Sequence, residues 1–159
     1  VGKLTLNKNG LYPCTPLGVM KILEEYNIEL CGKNVVVIGK SNIVGLPLSL
    51  LLLHKEATVT ICHSNTIDLP SITKNADILV SACGQPQMIK EHYIKQDAII
   101  IDIGISRIEY NNKKGYKIVG DVDYDNVLDK VKAITPVPGG VGPMTIAMLL
   151  ENCVNNFLK

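Results

Sequence analysis

The chain has 159 residues, a length that suits one domain, and 47% of them are apolar, enough to bury a core. A net charge of +1 without a basic face argues against nucleic acid, and Lys113-Lys114 reads as a solvated pair. With no Trp and a single Phe, the core must be aliphatic. Five cysteines (Cys14, Cys31, Cys62, Cys83, Cys153) make an odd set with no Cys-x-x-Cys pair. That points away from zinc, any other metal and a disulfide framework, toward reduced thiols in a cytoplasmic setting, with an organelle left open. No run approaches the ~18 apolar residues of a membrane span. The opening Val-Gly-Lys-Leu-Thr-Leu is not a signal peptide, and without an initiator Met a fragment or a processed product is expected.

Residues 1–14 read as loop, closed by Pro13. Thr15-Pro16 predicts a helix start, with a hydroxyl at the cap and proline where its missing N–H does no harm. Val19, Met20, Ile22, Leu23 and Tyr26 continue at helical spacing, and Asn27 can end that helix over 15–26. Short β-branched runs predict strands at 34–39, 58–62, 78–82 and 98–102, with helical intervals at 44–54, 68–75 and 91–95. Residues 110–115 read as a polar turn, 117–120 as a further strand, and Val127, Leu128 and Val131 as a small helix. An amphipathic helix over 143–158 closes the chain, its apolar set being Met144, Ala147, Met148, Leu149 and Val154. Strands alternating with helical crossovers predict an α/β, Rossmann-like parallel sheet with helices on both faces.

The stretch Gly39-Lys40-Ser41-Asn42-Ile43-Val44-Gly45 follows the apolar run Val35-Val36-Val37-Ile38. A buried strand that turns on glycine into a helix presents unpaired N–H groups to a phosphate at the carboxyl rim of such a sheet. The pattern is not G-x-G-x-x-G, yet the helix behind it (Leu46, Leu48, Leu50, Leu51, Leu52, Leu53) is apolar nearly all round and so central. An NAD site places an acid about 20 residues on, at the second strand's tip. Here that window, Val59-Thr60-Ile61-Cys62-His63-Ser64, has none. Ser64, Lys40 and Ser41 suit a 2′-phosphate, so NADP is read over NAD. The plainer alternative is that Lys40 is solvated, that Ser41 or Asn42 caps the helix, and that His63 is a satisfied strand-end residue.

The third and fourth strands run into Ala82-Cys83-Gly84 and Asp102-Ile103-Gly104-Ile105. Glycines just past strand ends let a flat ring approach the backbone. Ile103 and Ile105 are either an apolar wall for that ring or plain core. Asp102 is either an acid catalyst or a loop anchor, the latter being the more ordinary role. Cys83 is a lone thiol of a usually inert kind. The run from Ile134 to Thr145, with three prolines and three glycines before Met144, is rigid and bare enough for a ligand to touch its backbone.

With these pieces in place, the chain resembles the bifunctional methylenetetrahydrofolate dehydrogenase/methenyltetrahydrofolate cyclohydrolase family. The match is carried by Pro13-Cys14-Thr15-Pro16, by Gly39 through Pro47, by Asp102-Ile103-Gly104-Ile105 with Gly120-Asp121-Val122, and by Thr135 through Thr145. The resemblance implies a single dinucleotide-binding domain over 1–159, whose helices at 1–26 and 143–159 bridge to a folate-binding, catalytic domain in a homodimer. It implies NADP-dependent oxidation of 5,10-methylenetetrahydrofolate and hydrolysis of the methenyl product to 10-formyltetrahydrofolate. Candidate cofactor contacts are then Gly39, Lys40, Ser41, Ile43, Ser64, Ala82, Gly84, Ile103, Ile105 and Thr145, with Pro138, Gly139, Gly140 and Val141 toward the folate substrate. Many members carry Arg where Lys40 stands, which softens the expected NADP preference.

The family's catalytic lysine, with its tyrosine and aspartate, belongs to the other domain, so no catalytic residue is expected in this chain. The only Tyr-x-x-x-Lys spacing, Tyr110 to Lys114, falls in a turn. The chain alone is expected to bind cofactor and to catalyse little. The alternatives are a non-catalytic NADP-binding or regulatory module, and an adenosyl-dependent methyl transferase, which would want the missing acid.

Overall fold

The computed structural model describes residues 2–8, 10–111 and 113–157. In chain order its elements are α1 (Gly2–Thr5), α2 (Cys14–Glu25), β1 (Asn34–Ile38), α3 (Gly45–Leu53), β2 (Thr58–Cys62), α4 (Leu69–Thr73) and β3 (Ile78–Ser81). A 3-10 turn (Glu91–Tyr93) precedes β4 (Ile99–Asp102), β5 (Ser106–Glu109), β6 (Tyr116–Val119), α5 (Tyr124–Val127), β7 (Ala133–Ile134) and α6 (Val141–Phe157). Five strands form one sheet in the order β2-β1-β3-β4-β7, and every pairing is parallel. This is the expected Rossmann-like α/β architecture. β5 and β6 pair antiparallel as a separate ribbon.

Strand alternation divides the core between two faces. Val35, Val37, Ile78, Val80 and Ile101 face α2 and α3, where they meet Val19, Leu23, Leu48 and Leu52. Val36, Ile38, Leu79 and Ile100 face the opposite layer, with Ala76, Ile94, Val122 and Val127. Burial on both sides is why these strands read as continuous apolar runs. Leu52 is fully buried, so Leu52→Ala should lower the unfolding free energy by about 2–5 kcal/mol in urea titration.

Several expectations need correction. Residues 2–5 form the short helix α1, because Leu4 is apolar and finds the core. α2 begins at Cys14 with Pro13 at the cap position and no side-chain cap bond, so Thr15 is inside the first turn. Asn27 does close α2: it takes φ 52°, while Asn27 N–H bonds the Glu24 carbonyl and Ile28 N–H that of Leu23. That is a Schellman closure with asparagine in the left-handed position. The helix expected at 91–95 is only the 3-10 turn, and the small helix ends at Val127, leaving Leu128 exposed. α3 is less central than its composition implies, since Leu53 is exposed.

α6 starts at Val141, ahead of Pro143, and the last expected position, Leu158, lies outside the described residues. Thr145 meets Thr15 and Asn152 meets Tyr12 and Cys14, so α6 runs antiparallel to α2. Of the expected apolar set on α6, Met148 is buried, whereas Leu149 and Val154 are exposed.

Candidate functional site

The chain passes from β1 to β2 on one side and to β3 on the other, so the sheet's switch point lies between β1 and β3. Ligands bind such sheets outside the carboxyl ends of the strands at that point. Gly39 leaves β1 with φ 123°, its N–H bonded to the Cys62 carbonyl at 2.8 Å. A Cβ on Gly39 would sit 2.4 Å from the Ala82 carbonyl oxygen, and one on Gly45 only 1.9 Å from that of Gly39. Both glycines are therefore required by the chain's own close approaches. Their effect is to bring the amino end of α3 directly over the tips of β1 and β3.

Ser41 Oγ accepts N–H bonds from Val44 at 3.1 Å and Gly45 at 3.3 Å. The capping role is thus present, but an accepting hydroxyl keeps its own proton free to donate. Among the described residues, the backbone N–H groups of Lys40, Ser41, Asn42 and Ile43 have no protein acceptor, and all four residues are exposed. Ile38 pairs with Cys62 across β1 and β2. Lys40 and Ser64 each lie two residues beyond that pair, on adjacent strands at the same rim, and both are exposed. His63 is satisfied locally: its N–H bonds Thr66 Oγ1 at 2.9 Å and its Nδ1 accepts Asn65 N–H at 3.2 Å.

Beyond β3 and β4 the two motifs Asp102–Ile105 and Gly120–Val122 meet, and their carboxylates form a buried pair. Asp102 Oδ1 accepts N–H bonds from Gly104 at 2.9 Å and Asp121 at 3.0 Å, and Oδ2 accepts that of Val122 at 2.9 Å. Asp102 is therefore a loop anchor. Asp121 Oδ2 in turn accepts Cys83 N–H at 2.9 Å, Gly84 N–H at 3.2 Å and the Ser81 hydroxyl at 3.1 Å. A Cβ on Gly104 would lie 2.2 Å from Asp121 Oδ1, and one on Gly120 2.0 Å from Asp102 Oδ2. Those two glycines make room for the carboxylates. The signal was there, in Asp-x-Gly and Gly-Asp, but only the fold brings them together.

Burial pushes the Asp102 carboxyl up to about 6, with the neighbouring Asp121 charge adding to it while backbone N–H groups pull the other way. Burial likewise raises the Cys83 thiol above its ordinary value, so Cys83 is a poor nucleophile. Ile103 packs against the core layer of α2 and α3, whereas Ile105 is 64% exposed and reaches toward Gly142. Ala82 is half-buried and Gly84 exposed with φ 68°.

The second glycine run is tied to β4 by Thr135, whose Oγ1 accepts Asp102 N–H at 2.9 Å. Pro138 and Gly139 are exposed, and Gly139 has φ 101° with open space where a Cβ would stand. Gly140 approaches the Pro136 carbonyl too closely for any side chain. Val141 is a buried core residue, which leaves only its backbone for a ligand. Thr145 Oγ1 lies 3.1 Å from Thr15 Oγ1 and 3.3 Å from the Val141 carbonyl, so its hydroxyl is engaged between helices. A groove of about 1030 Å3 runs from Tyr26 and Asp77 to Gly139 and Gly140, but none of Lys40, Ser41 or Ser64 lines it. Tyr110 and Lys114 belong to the ribbon and its turn, not to one helical face.

Among the described residues no cluster of three His, Cys, Asp or Glu side chains is placed to hold a metal, and no helix is long and apolar enough to cross a membrane.

The chain is 59% identical over 161 residues to the bifunctional protein FolD of Sulfurihydrogenibium sp., covering all of this chain and 54% of that protein. The crystal structure of the bifunctional FolD dehydrogenase/cyclohydrolase from Campylobacter jejuni superposes with a TM-score of 0.91 at 51% identity, over 97% of this chain and 53% of that one. The Trypanosoma brucei FolD structure, complexed with NADP and an inhibitor, gives 0.89 at 43% identity, over 96% and 53%. The chain thus spans about half the length of the relatives it matches. The family model described as "Tetrahydrofolate dehydrogenase/cyclohydrolase, NAD(P)-binding domain" matches residues 13–159, and it is to this family that the chain belongs.

Proposed function

We propose that this chain is the cofactor half of an NADP-dependent 5,10-methylenetetrahydrofolate dehydrogenase that also carries methenyltetrahydrofolate cyclohydrolase activity. In this reading the longer, homodimeric protein works in the cytoplasm, and its folate-binding, catalytic domain meets the helices at 1–26 and 143–159. Neither nucleic acid nor membrane is a partner.

One observation carries the reading: four consecutive unpaired N–H donors, Lys40 to Ile43, stand at the rim's switch point. They fit a dinucleotide's diphosphate, because amide donors and a helix amino end favour an anion there. Gly39 shapes this turn; the Ser41 hydroxyl donates to the diphosphate, and Lys40 and Ser64 hold a 2′-phosphate. A carboxylate at the tip of β2 would repel that phosphate, and none stands there. When bound, the nicotinamide supplies the hydride acceptor.

This chain's residues supply placement. Ala82, Gly84, Ile103 and Ile105 flank the ring, Ile105 being the exposed apolar side chain among them. Pro138, Gly139, Gly140 and the Val141 backbone bound the folate, and Thr145 braces their helix. Holding both partners in register turns a bimolecular transfer into a nearly unimolecular one.

Titration with NADPH and NADH tests the assignment. Lys40→Ala and Ser64→Ala should each weaken NADPH about tenfold, with NADH nearly unchanged; equal losses for the two cofactors would overturn the 2′-phosphate role. If the longer protein binds NADPH yet forms none from methylenetetrahydrofolate and NADP, the chain is a binding module instead.

A further inference from the structure

We propose that Asp121 is a positioning residue for the nicotinamide end of the dinucleotide site, acting through the turn at Cys83 and Gly84. The proposal rests on the cofactor reading above and adds a residue to it. Asp121 is completely buried. One oxygen, Oδ2, collects two successive backbone N–H groups, the Ser81 hydroxyl and, at 3.3 Å, the Cys83 thiol. Its other oxygen, Oδ1, is buried with no hydrogen-bond partner. Burying a carboxyl group and leaving one of its oxygens unsatisfied is unfavourable. A neutral side chain that merely filled the space would avoid that penalty.

What the carboxylate accomplishes is orientation. Two successive N–H groups that converge on one acceptor define the plane of the turn, and a planar trans peptide sends the Cys83 carbonyl the opposite way from the Gly84 N–H. Gly84 itself stands at φ 68° with nothing within 4 Å of a Cβ position, so the outer side of this turn is open. Asp121 is also fixed along its own backbone, because its N–H bonds Asp102 Oδ1, the atom that holds Gly104 N–H. The turn after β3 and the exit from β4 toward Ile105 are therefore set by one buried framework. Among the described residues, neither Lys40, Ser41 nor Ser64 hydrogen-bonds to this framework, so the groups read as phosphate contacts do not depend on Asp121 for a partner.

That separation gives the test. NADPH and 2′,5′-ADP, which keeps the phosphorylated adenosine but has no nicotinamide, are titrated against the wild-type chain, Asp121→Ala, Asp121→Asn and Ser81→Ala. Asp121→Ala should weaken NADPH about tenfold and leave 2′,5′-ADP within about twofold. Asp121→Asn keeps one oxygen for the two N–H groups and should recover most of the NADPH affinity. If Asp121→Ala does not fold, Ser81→Ala decides, with about a threefold loss for NADPH alone. Equal losses for both probes, an unchanged NADPH affinity, or no recovery with Asp121→Asn would overturn the proposal. A wild-type chain that bound neither probe would overturn the cofactor reading and this proposal together.

Discussion

Gly45→Ala is expected to destabilise the chain by about 4 kcal/mol or more, placing it in the extreme tail of single substitutions. The added methyl would fall 1.9 Å from the Gly39 carbonyl oxygen and 2.6 Å from its carbon. Both are backbone atoms, so no side chain can swing aside. Relief requires α3 to lift from the sheet, which separates Leu48 and Leu52 from the core. For a domain of this size the loss corresponds to a fall in melting temperature of roughly 10 °C, read by thermal unfolding. Gly32→Ala is the control: φ 71° is unfavourable, but the space is open, so only about 1 kcal/mol should be lost. A Gly45 variant that melted like the Gly32 variant would contradict the tight strand–helix junction.

The second large effect is in the pH dependence of stability. Asp102 is held at about 6 in the folded chain, above the ~4 of an unfolded aspartate. The folded state therefore takes up a proton that the unfolded state still lacks as pH falls from about 7 to 4. The stabilisation from Asp102 is complete below the unfolded value and disappears as pH rises through 6. Its size is about 2–3 kcal/mol.

Asp77 and Asp123 act in the opposite sense. Lys95 and Lys90 hold their carboxyls below the usual range, so their contributions vanish in acid. Subtracting the profile of Asp102→Asn from that of the wild type leaves the other groups' contributions out. The difference should favour the wild type increasingly from pH 7 down to 4; a flat difference would show that Asp102 titrates normally.

β1, β3 and β4 were legible to within a residue because each is buried on both faces and must be apolar throughout, whereas β2, an edge strand with Thr58 and Ile61 exposed, was legible from its β-branched run. α3 was legible from its run of leucines, and the exposed turn before it from the glycines at either end. β5 was not: Ser106–Glu109 alternates half-buried and exposed residues in a two-stranded ribbon, and its run carries charges typical of loops. Thr15 misled because a hydroxyl before proline suits a cap, whereas its partner is Thr145, 130 residues away. Asp102 and Asp121 had no local signature as a pair, since nineteen residues and a ribbon separate them. In the candidate site, the glycines are there for more than one physical reason. Of those glycines, Gly39, Gly45, Gly104 and Gly120 are dictated by contacts within the chain, whereas Gly84 and Gly139 stand with open space and positive φ.

The rim fastened by Asp102 and Asp121 has little freedom left to surrender when a ligand arrives. Encounter then requires no slow rearrangement of that region, and arrival is governed by diffusion and orientation alone. Discrimination between similar dinucleotides would consequently be expressed in how long each one stays.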